Sequence, residues 1–548
     1  MKIIKNPVTR ILNLVKEEKS DITAIYFFAM LGGLIQLSVP IGIQAIIGFV
    51  VGGSITTSLI ILITLLIVAV LFVGITQINQ MKIIERIQQR IFVKYTHAFA
   101  ESIPKINLID ADEYYLPELM NRFFDIGSLQ KSISKLLLDI PTAIIQILFG
   151  LILLSFYHPF FILFSILLIV ILWTILYNTG GKGLEYSLEE SNHKYAVAGW
   201  FQEMGRLIKT FKFSTPGGLH LLKANEKTIH YLNARTKHFG VLLIQYKTLT
   251  IFKVAITAAM LITGVILLLD QQINIGQFVA SEIIILSVLA SVEKIIINLD
   301  SVYDVLTAIE KIEKITDKPM EVGGTYQLTS SAPLKVEATN IGFNYTHDKQ
   351  IINNLSFTIA PGNTACIIGK DGAGKSTLLK ILTGVYTDIN GSIMINDVPM
   401  GNYNLNNLRD KIGFYFPAEN IFQGSLWENI TMGRINIDKD YINYLSDKVG
   451  LKNYLATLPK GYDTHLDPTG KKLPRNVIQK IILIRALAHQ PKLVILEEPW
   501  QGMEEHFIKD IQQLLLGLKN TTVIVATNDE YFIKQCNQII EIMGDKIK

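Results

Sequence analysis

The sequence predicts a multidomain membrane protein in which a six-helix α transmembrane bundle precedes an α/β domain. Three observations predict it. Six apolar stretches, at 22–51, 54–78, 136–156, 159–178, 248–269 and 274–294, each reach the roughly 20 residues that a helix needs to cross a hydrocarbon core. Strand-like runs at 334–338, 365–368, 492–496 and 522–526 alternate with helical ones, the pattern of an α/β layer fold. Between one such strand and a helix opening at Leu378 lies the glycine-rich run Gly369-Lys370-Asp371-Gly372-Ala373-Gly374-Lys375-Ser376-Thr377.

The apolar stretches read as spans because charges are nearly absent from their middles and hydrophobicity runs around the whole helix, which a soluble bundle would not tolerate on its outer face. Their orientation follows from the basic residues. The connection after the second span carries Lys82, Arg86, Arg90, Lys94, Lys105 and Arg122; that after the fourth carries Lys182, Lys194, Arg206, Lys209, Lys212, Lys223 and Arg235. The intervening turns, Gly52-Gly53, His158-Pro159 and 270–274, lack Lys and Arg, so the basic side is expected in the cytoplasm with both termini. Helical periodicity persists in 81–99 and 183–208, predicting spans that continue into the cytoplasm. The expected organisation is a cytoplasmic segment at 1–21, a transmembrane domain at 22–318, a linker rich in Gly, Ser and Thr at 319–333, and the α/β domain at 334–548.

Composition narrows the function classes. A formal net charge of +4, without a long basic block, argues against a nucleic-acid partner, whereas the spans require membrane lipid. Lys2, Lys5, Arg10, Lys16 and Lys19 are spread among polar positions with no apolar core or cleavage site, so no removed signal peptide is expected. Cys366 and Cys536, far apart in the hydrophilic half, predict neither a disulfide framework nor metal-ligand spacing and suit a reducing compartment.

The glycine-rich run carries the chemistry. Gly369, Gly372 and Gly374 let backbone N–H groups close around phosphate, and the following helix adds positive charge from its N-terminus. Lys375 is placed to reach the terminal phosphates, Ser376 to ligate Mg²⁺, and Thr377 completes the motif.

Further residues make the chain resemble the ATP-binding cassette family, specifically its exporter half-transporters with six spans fused to one cassette. They are Phe343-x-Tyr345 ahead of Asn354-Leu355-Ser356-Phe357, Ile412-Gly413-Phe414, Phe422-x-Gly424-Ser425-Leu426-x-Glu428-Asn429-Ile430, and Leu493-Val494-Ile495-Leu496-Glu497-Glu498-Pro499. The resemblance implies ATP and Mg²⁺ as cofactors, Tyr345 as the ring stacked on adenine, Glu497 near the metal, and Glu498 as the base that polarises attacking water. It also implies a second half-transporter, identical or different, as an obligatory partner. The run from Gly276-Gln277-Phe278 through Asn298-Leu299-Asp300 to Lys311-Ile312 looks most like bacterial type I secretion and peptide exporters, which implies a polypeptide substrate, a periplasmic adaptor and an outer-membrane channel.

Four positions depart from the family pattern. Pro417 stands where the family has a metal-ligating Gln, and Leu473-Pro474-Arg475-Asn476-Val477 replaces Leu-Ser-Gly-Gly-Gln. Glu497 is one methylene longer than the expected Asp, and the switch His is Asn528, which can still hydrogen-bond the nucleotide's phosphate but carries no charge. With Pro474 as a first helical residue, Arg475 would stand in for the missing serine and bind the γ-phosphate of ATP held by the opposing subunit. The expected function is ATP-driven export of a polypeptide by alternating access, with impaired or atypical hydrolysis; a weakly hydrolysing subunit that gates or scaffolds a secretion complex, or a lipid or small-molecule exporter, is the alternative. Glu282, alone among acidic residues well inside a span, is a candidate for the translocation path.

Overall fold

The structure, a computed structural model, describes residues 7–53, 57–111, 116–213, 217–346, 349–467 and 473–542. Lys2 and Lys5 lie outside the described residues. The chain divides into two compact units, one of residues 1–106 and 114–318, the other of 107–113 and 319–548.

The first unit is helical: α1 (Pro7–Glu17), α2 (Lys19–Val51), α3 (Thr57–Ser102), α4 (Asp125–Tyr157), α5 (Phe160–Arg206), α6 (Leu219–Leu269), α7 (Ile275–Ile297) and α8 (Leu299–Thr316) are its long elements. Among the described residues, six helices are long and apolar enough to cross a membrane. In hydrocarbon every backbone polar group must be satisfied within its own helix, which is why these apolar runs form unbroken α-helices. At 51 residues α6 spans about 75 Å, well over twice a hydrocarbon core, so the spans continue beyond the bilayer as the periodicity predicts.

Side-chain size sets the spacing of the helices. Leu151 and Leu154 of α4, Phe161 and Phe164 of α5, Phe252 and Met260 of α6, and Ile284 and Val288 of α7 share one apolar core with Tyr303 of α8. A Cβ on Gly150 would lie 2.6 Å from Val288, and one on Gly183 would lie 2.3 Å from the Tyr303 ring, so α4–α7 and α5–α8 approach as closely as glycine permits. Tyr303 is held there by Gln245, whose Nε2 donates to its hydroxyl at 3.0 Å and to Thr179 Oγ1 at 2.7 Å. Gly183→Val is therefore expected to destabilise the unit by about 1–3 kcal/mol. Thermal unfolding in detergent would show it, and Tyr303→Ala in the same chain should recover part of the loss.

The polar span residues find one another. Gln146 Nε2 donates to Gln36 Oε1 at 2.6 Å, Ser291 Oγ donates to Gln146 Oε1 at 2.7 Å, and Tyr157 donates to Gln44 Oε1 at 2.6 Å. Two half-filled amides buried separately would each forfeit a hydrogen bond, so pairing across α2, α4 and α7 satisfies both. Glu282 sits half-buried on α7. Outside the apolar core, the buried Arg10 of α1 pairs with Glu313 at 3.0 Å and Asp317 at 2.8 Å, fastening the N-terminal helix to the end of α8.

The second unit holds β1 (Val336–Thr346), β2 (Lys349–Ile359), β3 (Thr364–Ile368), β4 (Asn390–Ile395), β5 (Val398–Pro399), β6 (Ile412–Tyr415), β7 (Gly424–Ser425), β8 (His465–Leu466), β9 (Leu493–Glu497), β10 (Thr522–Ala526) and β11 (Gln538–Glu541). Its longer helices include α9 (Lys375–Leu382), α10 (Arg475–Leu487), α11 (Glu505–Leu516) and α12 (Glu530–Gln535). An antiparallel sheet runs β2-β1-β4-β5, a parallel one β11-β3-β10-β9-β6, and β7 pairs with β8. The parallel strands are nearly all apolar because helices cover both faces. Within 319–333, Gly324 and Tyr326 donate backbone hydrogen bonds to Tyr403 and Asn402, tying this stretch to the second unit.

One expectation needs correction. Cys366 and Cys536 form a disulfide, their Cα atoms 6.2 Å apart across a sequence separation of 170. Parallel pairing of β11 with β3, which sets Ile539 opposite Cys366, brings the end of α12 beside β3, a proximity that spacing along the chain does not reveal.

Candidate functional site

Strand register assembles the site. Ala526 pairs with Ile367 on one side and Glu497 on the other, and Tyr415 pairs with Leu496, so β3, β6, β9 and β10 end level. The segments leaving those ends, 369–377, 416–417, 498 and 527–528, emerge on the carboxyl edge of a parallel sheet, where α/β folds bind ligands.

The loop from Gly369 to Lys375 turns through positive φ at Gly372 (79°) and Gly374 (99°), conformations open to glycine but costly for other residues. This turn lets α9 start at Lys375 with its N-terminus facing the loop. The Lys375 ammonium, its side chain only 12% exposed, lies inside the loop and donates to the carbonyls of Gly369 at 2.6 Å and Lys370 at 3.2 Å. A cation held on backbone carbonyls at a helix N-terminus fits a polyphosphate. Ser376 Oγ donates to Glu497 Oε1, so a hydroxyl and a carboxylate meet as hard oxygen donors of the kind Mg²⁺ takes beside phosphate.

Beside the loop, the Tyr345 hydroxyl hydrogen-bonds Thr377 Oγ1 at 3.0 Å, which fixes the ring against α9. Tyr345 meets Phe343 and Tyr386 edge-on, with centroids 5.0 and 5.6 Å apart, and keeps 41% of its surface exposed. That exposed face is available for stacking. Tyr386, stacked on Phe343 at 5.2 Å, supports the ring from behind; it stands after α9 without a motif to flag it.

Glu498 follows β9 in a left-handed conformation (φ 42°) held by its own N–H donating to Ala526 O at 2.9 Å. Its Oε1 accepts from the Asn528 N–H at 3.2 Å and its Oε2 from the Thr527 hydroxyl at 3.0 Å. Burial pushes the carboxyl above its ordinary range; Thr527, the Asn528 N–H and the Lys375 charge pull the other way, and Glu497 adds to the rise. Asn528 itself is exposed.

Among the departures, α10 begins at Arg475 with Pro474 just before it, one position earlier than the first helical place expected of that proline. The Arg475 guanidinium donates to the carbonyl of Pro417, so two of the four departures touch within this chain. Wholly buried Tyr415, at the end of β6, is pushed up to about 12 by burial and is therefore a neutral phenol at this edge. Sequence reasoning passed over Thr527 and Tyr415. Both stand at strand ends beside recognised motifs, and that position was the available signal.

Comparison with known proteins agrees with this layout. A family model described as ABC transporter transmembrane region matches residues 22–292, and one described as ABC transporter matches residues 352–501. The chain belongs to the ABC transporters, with one membrane-spanning unit and one cassette. It is a multi-pass membrane protein whose cassette takes ATP with Mg²⁺. It is 29% identical over 221 residues to a multidrug efflux ATP-binding/permease protein of Mycobacterium tuberculosis, covering 40% of this chain and 18% of that one. To an ATP-dependent lipid A-core flippase of Saccharophagus degradans it is 30% identical over 223 residues, covering 40% and 38% respectively. Thus the match spans less than two fifths of either relative. The solved structure of a bacterial Atm1-family ABC exporter with ATP bound superposes with a TM-score of 0.82 over 96% of this chain and 94% of that one at 17% identity, which establishes the fold.

Proposed function

We propose that this protein is a subunit of an ATP-driven exporter that works as a dimer by alternating access, with its basic connections and termini in the cytoplasm. The observation that carries the proposal is the convergence of Lys375, Ser376, Glu497 and Glu498 on one sheet edge in a chain that also carries six spans. Lys375 and the loop amides bind the phosphates, Ser376 and Glu497 hold the metal, Tyr345 stacks on adenine, and Glu498 takes the proton from attacking water. Glu282 faces the translocation path. The deciding measurement is ATP turnover by the purified protein in lipid: turnover supports an exporter, whereas tight ATP binding without turnover supports a subunit that gates or scaffolds a larger complex.

Two substrate readings divide on different observations. The likeness of the 276–312 run to secretion transporters supports a polypeptide, which would bring a periplasmic adaptor and an outer-membrane channel. The relatives named above, an efflux protein and a lipid A-core flippase, support an amphipathic lipid or small molecule instead, and this reading has the broader support. ATP-dependent uptake of labelled amphiphiles into inverted vesicles tests it; uptake of peptide alone would reverse the order.

Arg475, exposed at the start of α10, uses one of its five N–H donors on Pro417 and retains others for a partner's γ-phosphate. Arg475→Ala is expected to weaken ATP-driven dimerisation about tenfold, a loss of one charge-assisted hydrogen bond. Unchanged dimerisation by light scattering would remove Arg475 from the site.

A further inference from the structure

We propose that Thr527 is the positioning residue for Glu498, its hydroxyl fixing the orientation of the carboxylate. The inference rests on reading Glu498 as the base.

Thr527 immediately follows β10 and is fully buried. Its N–H donates to Ile367 O at 3.2 Å, which carries the pairing of β10 with β3 one step past the last strand residue and fixes the backbone. The Asp529 N–H donates to Thr527 Oγ1 at 3.2 Å. With a lone pair of that oxygen occupied, the single hydroxyl proton is directed to Glu498 Oε2, 3.0 Å away. The other carboxylate oxygen accepts the Asn528 N–H at 3.2 Å. Both oxygens are thus gripped by adjacent residues of one short segment, and the carboxylate plane is set.

Of the two donors, only the hydroxyl can be removed by a side-chain change. Thr527→Val removes it and keeps the branched shape.

The test compares Thr527→Val, Thr527→Ser and Glu498→Gln in the full-length protein reconstituted in lipid, reading kcat and KM for ATP. The expected result for Thr527→Val is a kcat lower by about tenfold with KM within about twofold, and for Thr527→Ser recovery of kcat. Should Thr527→Val fail to fold, as judged by the nucleotide-dependent thermal shift, Thr527→Ala serves the same comparison with Ser. A drop in kcat that Ser does not rescue, or one matched by a large rise in KM, means a merely structural role and overturns the inference, as does an unchanged kcat. If Glu498→Gln or the native chain shows that turnover does not depend on Glu498, the base reading falls first and the inference with it.

Discussion

Glu498→Gln is expected to lower ATP turnover by about 10²–10⁴-fold, the span of a general-base contribution, while leaving ATP binding intact. Glutamine has nearly the same size and cannot accept the proton. The structure adds a second, smaller effect. Both carboxylate oxygens accept hydrogen bonds, from Thr527 and from the Asn528 N–H, and an amide offers only one acceptor. One donor therefore faces an NH₂ group, at a cost of about 1 kcal/mol in stability. Turnover measured by phosphate release, set against the unfolding midpoint, separates the two effects, because a 1 kcal/mol loss cannot produce a hundredfold fall in rate at temperatures well below unfolding. Turnover within threefold of the native chain would move the base elsewhere, Glu497 being next in line.

Lys375→Ala should abolish nucleotide binding in the working range. The ammonium is mostly buried within the loop and held by two carbonyls, so its removal deletes the cation held inside the cradle of amides. A hundredfold weaker affinity corresponds to about 2.8 kcal/mol, the scale of one or two charge-assisted hydrogen bonds. At an ATP concentration a hundred times the native dissociation constant, binding stabilises the native chain by about 2.7 kcal/mol; a hundredfold weaker variant keeps about 0.4 kcal/mol. The corresponding loss of the ATP-induced thermal shift needs no turnover and so holds whether or not hydrolysis is fast. A full shift retained in Lys375→Ala would mean that ATP binds somewhere other than this loop.

The two variants together decide how far the departures matter. Pro417 and Asn528 replace side chains that touch metal and phosphate in the family pattern, and Arg475 brings a charge where a hydroxyl was expected. In this chain Arg475 and Pro417 meet, and the backbone of Asn528 serves Glu498. Native turnover that vanishes in both variants would show that the retained Lys375, Ser376 and Glu498 suffice.

Much of the molecule was legible along the chain, where the signal is local. Uncharged runs of span length follow from the thickness of hydrocarbon, and the glycines of 369–374 from the conformations that a phosphate loop demands. The helix at Arg475 was visible as well, although its start differs by one position because proline at a helix entrance fits either place. Thr527 was not legible as a positioning residue: a lone threonine after a strand has no spacing rule, and its partner lies 29 residues earlier. The cysteine pair was misread for the same reason.

The sequence by itself determined that the protein spans the membrane, that a phosphate-binding loop follows, and which residues of that loop carry charge and hydroxyl. Only the tertiary structure decided what meets what at the site: Ser376 with Glu497 across 121 positions, Arg475 with Pro417 across 58, and Glu498 with Thr527. The physical reason is strand order. Placing β10 between β3 and β9 with their ends level is a choice made by packing the whole sheet between its helices, and no local pattern along the chain encodes it.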